Sequence, residues 1–403
     1  GPAPATMPSM RFASALSTTP RLEAAAAAAC EAARRDLGDG TVDLAVVFAS
    51  ASYGPDLDRL PTLVHEALSP RALLGCSGGG IVGGGREVEG RPALSILVAH
   101  LPGAHALVRH VDAADLPSED VGPRAWTELL GMAPEDARGA IVLPEPFQFP
   151  ADRLLAGLDY AYPKVAKVGG IASGSRHPGG HALFAGRACH RSGAVVGMLA
   201  GNVRLAPVLA QGCKPIGTVG TITRAEANHL LEVDHRPALR FLEQQLRGLD
   251  EGDRELVTTR PLFLGIAMSP FTDPDKLGPG DYLIRNVLGF DQGRGSLVIG
   301  ELLAPGKRVQ FHLMDHHTSA FDLRRALQRQ RAAGGSPAGA LMFSCLGRGQ
   351  GLYGEPDHDS RLFREELGEA PLGGFFCNGE IGPVHGTTYL HGYTASIGVF
   401  LPR

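Results

Sequence analysis

From Val42 the chain carries a hydrophobic run, "VDLAVVFAS", interrupted only by Asp43 before its final serine. It then passes through a polar loop into an amphipathic stretch and ends in the apolar triplet Ala72-Leu73-Leu74, which runs into the small residues Gly75-Cys76-Ser77. The same succession recurs in "GAIVLPEPFQFPADRLLAGLDYAYPKVAKVGGIASGSRHPGG" and in "GALMFSCLGRGQGLYGEPDHDSRLFREELGEAPLGGFFCNGEIG". Short apolar runs bounded by Gly and Pro predict buried strands, and the amphipathic spacing between them predicts a helix. Alternating segments follow each copy: "ALSILVAHL", "HALFAGRACHRSGAVVGML" and "TTYLHGYTASIGVFL". Three modules are therefore predicted near 42–101, 139–201 and 338–401. The fold class is α/β (mixed α+β), with repeated β-α-β-β modules forming mixed sheets flanked by helices.

A second unit occurs twice. "CKPIGTVGTITRAEANHLLEVDHRPALRFLEQQL" and "DYLIRNVLGFDQGRGSLVIGELLAPGKRVQFHLMDHHTSAFDLRRALQRQ" each give strand, turn, strand and then a helix rich in Leu, Arg and Gln. Two halves result, 11–250 and 256–403, joined at the charged stretch "RGLDEGDRELVTTR". The third module ends the chain while its counterparts lie in the first half, so sheets from both halves are expected to pack together. Periods of 20–50 residues, the mark of solenoids, are not evident in the sequence.

Totals narrow the picture further. The 403 residues suit two or three domains at about 150 residues each. A 44% hydrophobic share with 20% charged residues is that of globular proteins, and no apolar run reaches the ~18 residues of a membrane helix. A net charge of -4 with scattered basic residues leaves no footprint for nucleic acid, so the expected partners are small molecules or proteins, with no nucleic acid and no membrane. Six dispersed cysteines without CxxC point to a reducing compartment, cytoplasmic, or plastid stroma if a transit peptide once preceded Met7. Gly1-Pro2 resembles a protease scar, and residues 1–10 are set aside as a tag remnant and flexible N-terminus.

Several motifs invite chemistry. "GCSGG" (75–79) matches G-x-S-x-G, but a nucleophile elbow needs a helix directly after the serine, and "GGGIVGGGREVEG" reads as a hairpin or loop. "GRGQG" (347–351) lacks the Lys-Ser/Thr that ends a phosphate loop. "HLMDHH" (312–317) and "HPGGH" (177–181) lack zinc spacing, and "DHDSRLF" lacks the glycine and terminal glutamate of a calcium loop. No metal and no cofactor are expected, and Asp359 or Ser360 is read as a helix N-cap.

In each module the strand after the helix ends in small residues: Cys76-Ser77-Gly78, Gly170-Ile171-Ala172-Ser173 and Cys377-Asn378-Gly379-Glu380. Parallel strands joined by a crossover helix place their carboxyl ends on one sheet edge, where ligands of such folds bind. Cys345 and Arg348, after the first strand of the third module, are thereby expected beside Asn378 and Glu380. Such a set suits the amine and carboxylate of an amino-acid-like ligand, or else Arg348 and Glu380 pair with each other. The candidate ligand-binding residues are Cys76, Ser77, Ser173, Cys345, Arg348, Asn378, Gly379 and Glu380. A cation three residues away favours a reactive Cys345 thiol, and burial favours an inert one.

The stretches "DLAVVFAS…LLGCSGGG", "KVGGIASG", "KPIGTVGTITRAEAN", "DYLIRNVLGFD" and "CLGRG…FCNGEIGP…LHGYT" resemble the two-part FIST family, named for F-box and intracellular signal transduction proteins. The resemblance runs from about Arg11 to Leu401. It implies a sensory module for a small ligand, amino acids among those suggested, acting through a signalling protein, and it implies no catalytic residues. About ten residues precede the match, too few for an F-box, so a stand-alone member is expected. Two alternatives remain at this point. One is a cysteine-dependent enzyme acting on a small metabolite, with Cys345 served by His385 or His391 as base; the other is a substrate adaptor with an F-box supplied in trans.

Overall fold

The computed structural model describes residues 9–403, so the expected tag remnant lies, up to Pro8, outside the described residues. The chain forms two compact units. The first takes residues up to 209 with 324–390 and 394–403, and the second takes 210–323 with 391–393.

All three predicted modules lie in the first unit, but for residues 391–393 of the third. Their first strands are Leu44–Ser50, Ala137–Pro144 and Gly339–Cys345, and their second strands are Leu73–Gly78, Lys167–Gly170 and Leu372–Cys377. Helices Leu60–Leu68, Ala151–Ala161 and His358–Leu367 cross between them. Each first and second strand pair in parallel, and nearly every residue in them is buried, which accounts for their continuous rather than alternating apolar runs. The return strands Leu94–His100, Ala194–Gly201 and Ala395–Pro402 then pair antiparallel with the first strands.

One glycine recurs at the same register in all three repeats: Gly75 faces Val47, Gly169 faces Val142 and Gly374 faces Met342. In each case a Cβ would overlap the carbonyl oxygen of the facing residue. Only glycine lets the two backbones approach that closely.

The hairpin between second strand and return strand is handed on to a neighbouring repeat. Hairpin Gly80–Gly83/Arg86–Glu89 of the first module extends the sheet of the third. Hairpin Leu183–Ala185/Ala188–His190 of the second extends the sheet of the first. Hairpin Glu380–Val384/Thr387–His391 of the third extends the sheet of the second. Three six-stranded sheets result, closed in a cycle and edged by Arg11–Ser17, Ala104–Val111 and Val203–Ala210. Residues of both sequence halves thus share sheets and a common core that includes Phe48, Leu143, Phe343 and Phe375.

The second unit holds the strands of both copies of the other repeat in one sheet of antiparallel pairs. Its order is Cys213–Glu226, Arg308–Met314, Leu262–Ala267, Tyr282–Asp291, Ser296–Ile299 and His229–Val233, with Arg236–Pro237 beyond. A further pairing of Cys213–Glu226 with His229–Val233 closes six strands into a ring, lined by Ile216, Leu264, Val309 and Phe311 and covered by Phe241 and Leu242 of helix Ala238–Arg247. The stretch expected as a linker is instead a helix, Glu251–Thr259, inside this unit. Asp250 caps it by accepting the Asp253 N–H at 2.8 Å, and Glu251 and Asp253 favour its N-terminal dipole.

Candidate functional site: the ring of strand ends

Counting four residues on from the recurring glycine reaches Gly79, Ser173 and Asn378, and counting two reaches Ser77, Ile171 and Phe376. These positions form a ring. Ser173 N–H donates to Ser77 O at 3.2 Å, and Asn378 N–H donates to Ile171 O at 3.1 Å. The third link is bridged by a side chain: Gly79 N–H donates to Ser173 Oγ at 2.9 Å, and Ser173 Oγ donates to Phe376 O. Three strand ends from three repeats are thereby tied into one cyclic junction, with the Ser173 hydroxyl filling the place of a direct backbone bond.

Around this ring the surface and the interior separate sharply. Gly79, Gly174 and Asn378 are exposed, and Leu346, whose N–H donates to Cys377 O at 3.1 Å, is 42% exposed. Asn378 Nδ2 donates to Ala172 O at 3.0 Å while the residue as a whole stays exposed. Beneath the rim, Ser77, Ser173, Cys76 and Cys377 are fully buried, and Gly379 is buried too. The Ser77 hydroxyl accepts Ala182 N–H at 2.8 Å, so both serines serve backbone groups. Burial pushes the Cys76 thiol well up, and burial with the Glu380 charge does the same to Cys377, so both stay protonated. Cys345 is 9% exposed, and its sulfur accepts Gly347 N–H at 3.3 Å.

The expected meeting of Arg348 and Glu380 does not occur. Glu380 is fully buried, and its Oε1 accepts both Thr394 N–H (3.0 Å) and Thr394 Oγ1–H (2.9 Å). Arg348, 1% exposed, turns to Asp359 with Nε to Oδ2 at 2.9 Å and Nη2 to Oδ1 at 3.2 Å, and Nη2 also donates to Tyr353 Oη at 2.9 Å. The reason is local: Arg348 starts the short helix Gly349–Tyr353, and the next helix presents Asp359 to it. Asp359 is consequently an ion-pair partner and not a cap. Ser344 Oγ at 3.2 Å, His358 Nδ1 at 3.0 Å and the Tyr353 hydroxyl also bond it. Burial alone would raise the Asp359 carboxyl, but the Arg348 charge outweighs it and holds the carboxyl well below its usual range. Ser360 is no cap either: its N–H (3.0 Å) and hydroxyl both donate to Glu87 Oε2. The N-terminus of Gly349–Tyr353, the "GRGQG" segment, is met by a protein carboxylate, Glu89 Oε2 accepting Gln350 N–H at 2.9 Å.

After Ser77 the chain continues into strand Gly80–Gly83, so "GCSGG" is a strand-to-strand passage. His312 is buried, bonds Gln310 O at 2.9 Å, and burial lowers it to about 4; Asp315 accepts Thr318 N–H at 3.0 Å. Among the described residues, no group of three His, Cys, Asp or Glu is placed to hold a metal ion, and no helix is long and apolar enough to cross a membrane.

The structure brings Cys76, Ser77, Ser173, Cys345, Asn378, Gly379 and Glu380 to one edge of the sheets and puts Arg348, expected beside them, in a separate buried cluster with Asp359, which was expected only as a cap. Sequence reasoning missed Leu346, Gly79, Gly174 and Thr394. The equal spacing from Gly75, Gly169 and Gly374 was the available signal for Gly79.

A cyclic α/β assembly of three hairpin-exchanging repeats, joined to a unit with a closed strand ring, defines the class. The chain belongs to the FIST family: residues 43–236 match the FIST N domain and 238–383 the FIST C domain. It is similar to the uncharacterized protein Rv0628c of Mycobacterium tuberculosis, 37% identical over 97% of this chain and 100% of that protein. It is also similar to the uncharacterized protein Mb0898c of Mycobacterium bovis, 34% identical over 97% of this chain and 99% of that protein. A shorter match is the F-box/LRR-repeat protein At5g63520 of Arabidopsis thaliana, 33% identical over 25% of this chain and 21% of that protein. The crystal structure of the cyanuric acid hydrolase from A. caulinodans aligns over 98% of this chain and 100% of that one, at 9% identity and a TM-score of 0.38, too distant to bear on chemistry. FIST domains are associated with sensory and signal-transduction proteins.

Proposed function

We propose that this protein is a small-ligand sensor whose ligand sits on the strand-end ring and whose state is passed to a signalling protein. The observation that carries the reading is that the ring's links join different repeats while Leu346, Asn378 and glycine backbone stand exposed on it. A molecule lying there touches all three repeats at once. Each link contributes about 1 kcal/mol, so a micromolar ligand, bound by about 8 kcal/mol, carries ample energy to bias how the repeats close. Leu346 offers an apolar contact and the Asn378 oxygen an acceptor for an ammonium or amide, which suits the amino-acid-like metabolite that the family resemblance implies.

A thermal-shift screen of free amino acids and related metabolites tests this, because a ligand that binds only the native state raises its melting temperature. Support is a compound whose shift is at least halved in Asn378→Ala, a change that removes the Nδ2 bond to Ala172 O and should lower the free protein's melting temperature by only about 2–4 °C. If no compound shifts the protein, or if the shift survives Asn378→Ala and Leu346→Ser intact, the reading fails.

A further inference from the structure

A cavity lies in the first unit between helices Pro123–Leu130 and Ala151–Ala161, and it shares no lining residue with the ring. It has a volume of about 390 Å³. Volumes of this size accept small organic ligands. Its wall on the second helix is one face, Arg153, Ala156, Gly157 and Tyr160, at the i, i+3, i+4, i+7 spacing that stacks side chains over one another. Opposite stand Pro117, Glu119 and Val121 of the preceding loop, and the floor is Trp126.

This floor is built for close contact. The buried Trp126 indole lies directly on Gly157, where any Cβ would overlap the ring. The missing side chain lets the aromatic sink and opens the space above it. Tyr160, one turn on, is 57% exposed and Val121 is 39% exposed, so apolar surface faces the cavity from both sides. Charge is present at the rim. Arg153 donates one long bond, 3.4 Å, to Pro117 O, and among the described residues neither Arg153 nor Glu119 has an ion-pair partner.

We propose that this cavity binds a free aromatic carboxylate of one or two fused rings, with the ring seated between Trp126 and Tyr160 and the carboxylate held by Arg153. Stacked aromatic contacts reward a flat ring beyond its area, and a guanidinium recognises a carboxylate through two parallel hydrogen bonds. Glu119 on the same rim repels a second carboxylate and so selects monoacids. The site is independent of the strand-end ring.

The test uses 2-naphthoate by calorimetry and benzoate by emission of Trp126, the single tryptophan of the sequence. Both are expected to bind saturably, and naphthalene-2-methanol, which has the ring without the charge, about tenfold more weakly than 2-naphthoate. Arg153→Ala should bring 2-naphthoate to the level of the alcohol, and Tyr160→Ala should weaken both ring compounds several-fold. Both residues are exposed, so neither change threatens the fold. Asn378→Ala, at the ring, should change nothing. Absence of saturable binding by both acids overturns the proposal. An affinity for 2-naphthoate that is unmoved by Arg153→Ala, or lost in Asn378→Ala instead, also overturns it.

Discussion

Arg348→Met separates a structural guanidinium from a ligand-binding one. The wild-type pair is bidentate, with contacts of 2.9 and 3.2 Å, and both residues are 1% exposed. Methionine fills much of the volume but leaves the buried Asp359 carboxylate with neutral donors such as Ser344 and Tyr353, and His358, in place of the guanidinium. Removing one partner of a buried pair typically costs about 3–5 kcal/mol. At 2–4 °C per kcal/mol for a unit of this size, the melting temperature should fall by roughly 6–20 °C. The pH dependence gives a second reading. In the wild type the Asp359 carboxyl is held below its ordinary value, so its contribution is present above the unfolded value and lost as pH falls through the folded one. In the variant the depressing charge is gone and burial raises the carboxyl. The penalty should therefore be largest near neutrality and shrink as the pH approaches about 4, where protonation relieves the stranded charge. Arg348→Met combined with Asp359→Asn should recover much of the loss at neutral pH, because no net charge is left buried. Urea denaturation monitored by circular dichroism between pH 4 and 8 measures all three proteins. A loss under about 1 kcal/mol with a pH profile parallel to wild type would refute the reasoning and return Arg348 to the list of ligand contacts.

Ser173→Ala removes the hydroxyl that bridges Gly79 N–H to Phe376 O; it should cost about 1–3 kcal/mol in denaturant titrations, and a loss within error would mean the ring closes without its bridge. Glu87 is pushed up to about 8 by burial and by the Asp359 charge. Its folded state keeps a proton that the unfolded chain releases, so wild-type stability should fall as pH rises from about 4.5 to about 8. Glu87→Gln should remove that slope, and parallel stability profiles for the two proteins would count against it.

The three modules were legible because their parallel strands are buried on both faces, which leaves unbroken apolar runs such as "LAVVFAS" and "GALMFSC". Hairpin exchange was not legible. A segment such as Gly80–Glu89 carries the same turn and alternation whichever sheet it joins, and its partner, Gly374–Phe375, lies almost 300 residues away. The strand-edge argument placed Cys345 near Asn378 because it depends only on strand direction. It failed for Arg348 because two residues of loop and a one-turn helix turn the side chain toward Asp359, a partner chosen by packing of the following helix. Asp250, read as part of a linker, shows the converse: a cap and two acidic first-turn residues were enough to start a helix where charge density suggested a joint.

The central claim, that a ligand bridges three repeats at their strand ends, is tested most directly by hydrogen–deuterium exchange with and without the compound found by thermal shift. Slower exchange is predicted in three separate segments together: 77–80, 171–175 and 345–349 with 377–380, while 117–126 and the second unit stay unchanged. Protection confined to one of these segments, or appearing only elsewhere, would contradict the account.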